Sequence, residues 1–314
     1  MKKSSMRNVD IGVPQGFILG PLLFVLYIND LSSTSSKLLF IQFADDTSIF
    51  IKAKSLSNIC KTMNSEMKNV SEWLKNNMLT LNVSKTNYMV MTSQGKKYTS
   101  DECEIIIDDV VIKCVEDITF LGVILDNKLT WKMHINHLCN KVSRAIGILV
   151  RARRVLGIDS LKTLYNTLIK PYFTYCLTIW GNTYKTYIKK VETLQKKILR
   201  IITFSEYQAH SVPLFRKTKI MTISQLYNYF AGIHIYKCIN QLLPQIFWDD
   251  FILSKTTRNP QNLRSLFSSK RICQTSLRFS GPKKWNEFPT KIKRAKSLNS
   301  FKYNLKKYIF SSSS

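Results

Sequence analysis

The sequence predicts an α+β fold in two parts, an antiparallel sheet with packed helices followed by a mainly helical region. Three observations carry this. Apolar runs of strand length crowd the stretch 38–125, helical spacing takes over from residue 134, and the charge changes where the patterns change. Forty-seven Lys and Arg against twenty Asp and Glu leave a net charge of +27. Residues 1–130 hold 14 basic and 14 acidic side chains, so residues 131–314 carry the whole excess. A neutral part joined to a basic one reads as a chemical module beside a module that grips polyanions. The expected divisions are 1–132, 133–250 and a basic C-terminal segment, 251–314.

Taken in order, residues 12–16 (GVPQG) form a loop, because Gly at both ends and Pro between them prevent regular structure. A helix is expected from Pro21 to Leu31, with Pro in its first turn. Residues 38–51 read as two apolar strands meeting at Ala44–Thr47. Leu56, Ile59, Met63, Met67, Val70 and Leu74 recur at helical spacing and predict a helix over 56–77. Strands are expected at 86–92, 104–107, 110–114 and 118–125. Further on, Ile188, Val191, Leu194, Ile198 and Ile201 share one helix face, and Lys189, Lys190, Lys196, Lys197 and Arg200 share the opposite one. Lys141, Arg144, Arg151, Arg153 and Arg154 form a second basic cluster on the preceding helix. In the polar last stretch Trp285 and Phe301 read as isolated anchors.

With 45% apolar and 11% aromatic residues over 314 positions, the chain is a folded protein with a sizeable core. The seven cysteines stand singly, which argues for a reducing compartment and against disulfides or a zinc knuckle. His134 and His137 have no partners at ligand spacing and read as packed or surface side chains. The apolar run 17–28 is broken by Gly20-Pro21 and is short of the ~20 residues that span a bilayer, so no membrane partner is expected. An intracellular location and no secretion follow from these readings; of the two compartments, nuclear or cytoplasmic, the nuclear one is implied only by the resemblance drawn below.

The chemistry rests first on Asp45-Asp46. Adjacent side chains of a strand point to opposite faces, but at a tight hairpin both carboxylates can project from the tip. Paired carboxylates suit Mg²⁺ or Mn²⁺, hard cations that take carboxylate and phosphate oxygens. Asp is also an ordinary turn residue, and that alternative stands on the pair alone.

The surrounding motifs are more specific. Gly12-Val-Pro-Gln-Gly16, Ile18-Leu-Gly-Pro-Leu-Leu-Phe24 and Tyr27-Ile-Asn-Asp30 precede Phe43-Ala-Asp-Asp-Thr47. Trp73-Leu74, Leu81-Asn82, Ser84-Lys85-Thr86, Phe120-Leu-Gly-Val-Ile-Leu-Asp126 and Leu129-Thr-Trp-Lys132 follow, and Gly281-Pro-Lys-Lys-Trp-Asn286 stands near the end. In this order they resemble the reverse transcriptases of non-LTR, jockey-like retrotransposons, along essentially the whole chain. The resemblance implies a partial polymerase palm followed by a helical thumb. It implies metal binding at Asp45 and Asp46, a nucleotide and template loop at Gly12, Pro14, Gln15, Gly16 and Phe17, and a proton-donating Lys85. Phe120, Leu121, Gly122 and Val123 would hold the primer end, and the basic helices would hold nucleic-acid phosphates. The implied partners are an RNA template, a DNA primer and deoxynucleoside triphosphates.

Two departures follow from the same resemblance. Phe17 stands where the family has a small residue. The fingers and a further metal-binding Asp are expected ahead of Gly12, where eleven residues stand, so the chain alone is expected to polymerise weakly or not at all. The competing expectation is a non-catalytic nucleic-acid-binding protein derived from a retroelement.

Overall fold

The computed structural model describes residues 16–92, 103–254 and 259–312. The chain divides into two compact units, 1–118 and 119–314.

In the first unit, α1 (Gly20–Ile28) carries Pro21 in its first turn, where the missing N–H is no loss, and a 3₁₀ segment (Asn29–Thr34) follows it. Strands β1 (Leu39–Phe43) and β2 (Asp46–Phe50) pair antiparallel. The expected amphipathic helix is α2 (Leu56–Asn76), whose first turn is capped by Ser55 Oγ accepting from the Asn58 N–H at 3.3 Å. Its Met67 and Val70 are buried with Ile28, Leu31, Ile105 and Ile112.

The remaining strands of this unit are shorter than the sequence suggested: β3 (Asn87–Tyr88), β4 (Ile106–Ile107), β5 (Val110–Val111) and β6 (Lys113–Cys114). The expected antiparallel sheet is corrected in the same way. The described strands form separate two-stranded sheets, and β3 with β6 is parallel. Short apolar runs show where strands lie, but their pairing depends on contacts between distant segments. The cysteine reading is corrected too. Cys60 and Cys103 are joined by a disulfide across 43 residues, with Cα atoms 5.7 Å apart. Both are buried, because α2 and the irregular segment just before β4 share one core.

The second unit opens in a hairpin, β7 (Asp117–Phe120) and β8 (Val123–Asp126), with the division between units inside β7. Helices follow: α3 (Lys132–Ala152), α4 (Ile158–Leu164), α5 (Lys170–Thr174), α6 (Leu177–Trp180), α7 (Lys185–Ile202), α8 (Ser211–Thr218) and α9 (Ile223–Ile239). The tail adds α10 (Arg271–Thr275), α11 (Leu277–Asn286), α12 (Thr290–Lys293) and α13 (Leu298–Ser311). Among the described residues no helix is long and apolar enough to cross a membrane.

Helix α9 is buried on nearly every side and begins in a capping box, Thr222 and Gln225 each accepting from the other's backbone N–H. Trp285 and Phe301 are not isolated anchors. They stack on each other at 5.8 Å, and Phe301 stacks on Tyr236 of α9 at 4.3 Å. Gly281 lets α11 lie close to α9 and to Phe251, since a Cβ there would lie 2.9 Å from the Phe251 ring and 3.1 Å from Ile235. Asn286 bonds both backbone groups of Leu263, at 2.8 and 3.0 Å. The GPKKWN motif is thus the packing seam of the tail.

His134 is packed, as the sequence suggested. It lies against Trp180 at 5.7 Å, its Nδ1 accepts from the Ile124 N–H at 3.3 Å, and its buried Nε2 has no partner. Burial, reinforced by the positive charges of His137 and Lys141, lowers its pKa to about 4 from an ordinary 6.5. The unfolded chain therefore takes up this proton first as pH falls. The stability His134 confers is complete above about pH 6.5 and declines until about pH 4, by at most about 3 kcal/mol. Melting temperature followed from pH 7.5 to 4 should fall less steeply for His134→Gln than for the unsubstituted chain.

Candidate nucleotide and nucleic-acid sites

In the first unit, the register Phe43↔Asp46, Ile41↔Ser48, Leu39↔Phe50 closes β1 and β2 with only Ala44 and Asp45 between them. A two-residue hairpin needs left-handed backbone, and Ala44 supplies it at φ 52°, a conformation normally left to glycine. Residues opposite each other share a face. Asp46 therefore lies on the exposed face with Leu39, Ile41, Phe43 and Phe50, while Phe40 and Ile49 pack into the core. Asp45 sits in the turn itself. Both carboxylates are exposed, and among the described residues neither forms an ion pair.

A second Asp-Asp in the same unit shows what ordinary turn aspartates do. Asp108 and Asp109 occupy the β4–β5 turn with φ 48° and 62°. Asp108 Oδ1 accepts from Lys75 at 2.7 Å and from the Ser71 hydroxyl at 2.6 Å. Those two bonds hold its pKa below the usual carboxylate value. Glu66 is matched likewise by Lys37 at 2.7 Å. The Asp45-Asp46 oxygens are left open and fit a hard divalent cation as two ligands. Among the described residues no third His, Cys, Asp or Glu joins them.

Of the loop residues, Gly12, Pro14 and Gln15 lie outside the described residues. Gly16 has φ 88°, and the half-exposed ring of Phe17 points out of the core. Lys85 ends an exposed 3₁₀ turn (Val83–Lys85), its N–H donating to Asn82 Oδ1 at 3.3 Å. It forms no ion pair with either aspartate.

In the second unit the candidate primer-holding residues form the end of the β7–β8 hairpin. Leu121 (φ 45°) and Gly122 (φ 78°) make its two-residue turn, and Val123 is buried. Two residues that the motif reading did not single out for a role hold this hairpin in place. The exposed Tyr175 hydroxyl donates to the Leu121 carbonyl at 2.5 Å, at the tip. At the base, the Asp126 carboxylate accepts from the N–H groups of Lys128, Thr130 and Trp131 at 3.2, 2.9 and 2.8 Å, and from the Thr130 hydroxyl at 3.2 Å. Those bonds brace a turn in which Leu129 and Trp131 have left-handed backbone, and they aim the chain into α3. The motif itself gave the signal for Asp126. Tyr175 gave none, being 54 residues from its partner.

Helices α3 and α7 pack side by side and run parallel. Lys190 Nζ donates to Asn136 Oδ1 at 3.1 Å near their starts, and Arg153 lies over Phe204 at their ends. Val191, Ile198 and Ile201 of α7 are buried in the core, whereas Lys189, Lys190, Lys196 and Lys197 are exposed. Lys141, Arg144, Arg151 and Arg154 are exposed as well, with Arg153 and Arg200 half-buried.

In comparison with known proteins, residues 2–125 match the reverse transcriptase (RNA-dependent DNA polymerase) family. The chain is 28% identical over 227 residues to the probable RNA-directed DNA polymerase from transposon X-element of Drosophila melanogaster, covering 70% of this chain and 25% of that protein. It is 25% identical over 212 residues to the RNA-directed DNA polymerase from mobile element jockey of Drosophila funebris, covering 64% and 23%. With the probable polymerase from transposon BS of Drosophila melanogaster it shares 23% over 229 residues, covering 70% and 25%. The matched stretch spans about a quarter of these relatives' length. No solved structure matches.

Removing the Asp126 carboxylate strands several backbone N–H groups in a partly buried turn. Asp126→Ala should lower unfolding stability by about 2 to 4 kcal/mol, and Asp126→Asn, which keeps one acceptor oxygen, by about half as much. Urea unfolding midpoints of the three chains provide the comparison.

Proposed function

We propose that this chain serves RNA-directed DNA synthesis as part of a retrotransposon polymerase, with Asp45 and Asp46 as its metal-binding carboxylates. One observation carries the reading: in the stretch that matches the reverse transcriptase family, Asp45 and Asp46 stand side by side at the tip of a two-residue hairpin with both carboxylates exposed and outside any ion pair, unlike the lysine-matched Glu66 and Asp108. Mg²⁺ or Mn²⁺ held there would offset negative charge on a nucleotide's phosphates during transfer. Gly16 and Phe17 would border the nucleotide and template, with Gly12, Pro14 and Gln15 completing that loop. Lys85 would donate a proton to the departing pyrophosphate. Phe120 to Val123, held by Tyr175 and Asp126, would steady the primer end. Lys141, Arg144, Arg151, Arg153, Arg154, Lys189, Lys190, Lys196, Lys197 and Arg200 would meet backbone phosphates of the RNA template and DNA primer.

Two carboxylates make a poor two-ion site, because a further bridging ligand is needed to hold both ions at working distance. On an oligo(dT)-primed poly(rA) template with Mn²⁺, the chain alone should extend weakly or not at all. Asp45→Ala should remove what remains, since principal catalytic groups contribute about 10³-fold or more. Synthesis that survives the substitution would place the chemistry elsewhere.

A second reading, nucleic-acid binding without catalysis, is favoured by the concentration of the entire +27 in residues 131–314. Both readings expect salt-sensitive binding, with log affinity falling by about 0.9 per neutralised phosphate for each unit of log salt on duplex. Lys196→Gln with Lys197→Gln should reduce that slope by about 2. An unchanged slope would show that this face of α7 meets solvent only.

A further inference from the structure

The parallel packing of α3 and α7 brings the ends of both helices to one place. There Arg153, flanked along the chain by Arg151 and Arg154, meets the loop after α7, which carries Phe204 and Tyr207. Arg153 lies over the Phe204 ring at 4.9 Å. The loop is built rather than slack. Arg200 Nε donates to the Ala209 carbonyl at 2.9 Å, the Ser205 N–H donates to the Arg200 carbonyl at 3.0 Å, and the Ala209 N–H closes a turn onto the Glu206 carbonyl at 3.1 Å. That turn puts Tyr207 at its tip, where it is 81% exposed, and Phe204 remains 46% exposed beneath Arg153.

Offsetting the negative ends of two helix dipoles would account for the arginines. It would not account for two rings held in water beside them. Nor does the core need them, since Phe204 follows the last buried positions of α7 and Tyr207 contributes nothing to the interior. Planar rings interleaved with guanidinium groups on a pinned loop are what an unpaired nucleotide strand requires, because bases stack on the rings and phosphates meet the arginines. A duplex offers its phosphates to the same arginines but keeps its base faces covered. The single acid in the loop, Glu206, is outnumbered by the arginines around it.

We infer that Phe204 and Tyr207, with Arg151, Arg153 and Arg154, form a stacking platform for single-stranded nucleic acid. The inference rests on reading the second unit as nucleic-acid-binding and adds a preference for unpaired strands at one place on it.

Fluorescence anisotropy of the full chain with labelled oligo(dT), oligo(rU) and a mixed-sequence duplex provides the test. The double substitution Phe204→Ala, Tyr207→Ala should weaken both single strands by about tenfold or more and change duplex affinity by less than about twofold. Tyr207→Trp keeps a ring at a fully solvated position. It should retain single-strand affinity and show quenching of its indole when oligo(dT) binds. Equal loss on single strand and duplex, or no loss on either, overturns the platform while leaving basic-face binding intact. Absence of all binding overturns both. Displacement of oligo(dT) by poly-glutamate at equal charge concentration would show that the rings recognise nothing, and also overturns it.

Discussion

Two neighbouring carboxylates can act together only if the backbone reverses between them and their surroundings leave them unmatched. Both conditions are met at Asp45-Asp46, and each has a local cause. The reversal is forced by the register, which leaves two residues for the turn and drives Ala44 into a left-handed conformation costing about 1 to 2 kcal/mol. The strands tolerate that strain because Phe40 and Ile49 anchor one face of the hairpin in the core. The Asp108-Asp109 turn is the internal control. It has the same residue pair and also has left-handed backbone, yet Lys75 and Ser71 lie within hydrogen-bonding distance, and the carboxylate becomes a strut between a turn and α2. Composition at a turn does not distinguish a strut from a ligand. The cation within reach does.

The hairpin of the second unit solves a related problem by other means. Its tip and base both need left-handed residues, at Leu121, Gly122, Leu129 and Trp131, so local propensity alone would not hold it. Asp126 and Tyr175 supply the missing constraint, one by gathering three backbone N–H groups, the other by a single hydroxyl from far along the chain. A primer end held on such a hairpin would be positioned by polar contacts that do not themselves touch it, and stiffness at this point is worth more than surface area.

What the sequence made legible was what depends on short-range pattern. Helix α2 appears within a residue of its expected ends because six apolar residues keep a 3.6-residue period. The β1–β2 hairpin appears because two apolar runs flank a polar tip. The basic and apolar faces of α7 were visible for the same reason. What was hidden depends on distant partners. Parallel pairing of Asn87–Tyr88 with Lys113–Cys114, the Cys60–Cys103 bridge and the grip of Tyr175 on Leu121 all join residues whose local sequence has no reason to announce the other. Trp285 and Phe301 looked isolated because a polar, Lys-rich sequence surrounds them, yet lysine stems cover apolar surface readily and leave the two rings free to meet beneath. The relevant signal was the small Gly281 four residues before Trp285, a mark of close approach rather than of a loop.

The uneven charge of the chain acquires a physical reason once both sites are described. In the first unit the lysines that come near carboxylates neutralise them, as at Glu66 and Asp108, and each such pair lowers what that carboxylate can offer a metal ion. Had the excess of 27 positive charges been spread evenly along the chain, cations would compete with Mg²⁺ for Asp45 and Asp46 and raise the local potential against it. Confining the excess to the second unit leaves the carboxylate tip in a neutral setting. It also concentrates the attraction for phosphates on helices α3 and α7, whose buried faces are already committed to the core. The two proposed tasks demand opposite electrostatics, and a chain that performed both would have to keep them on different units.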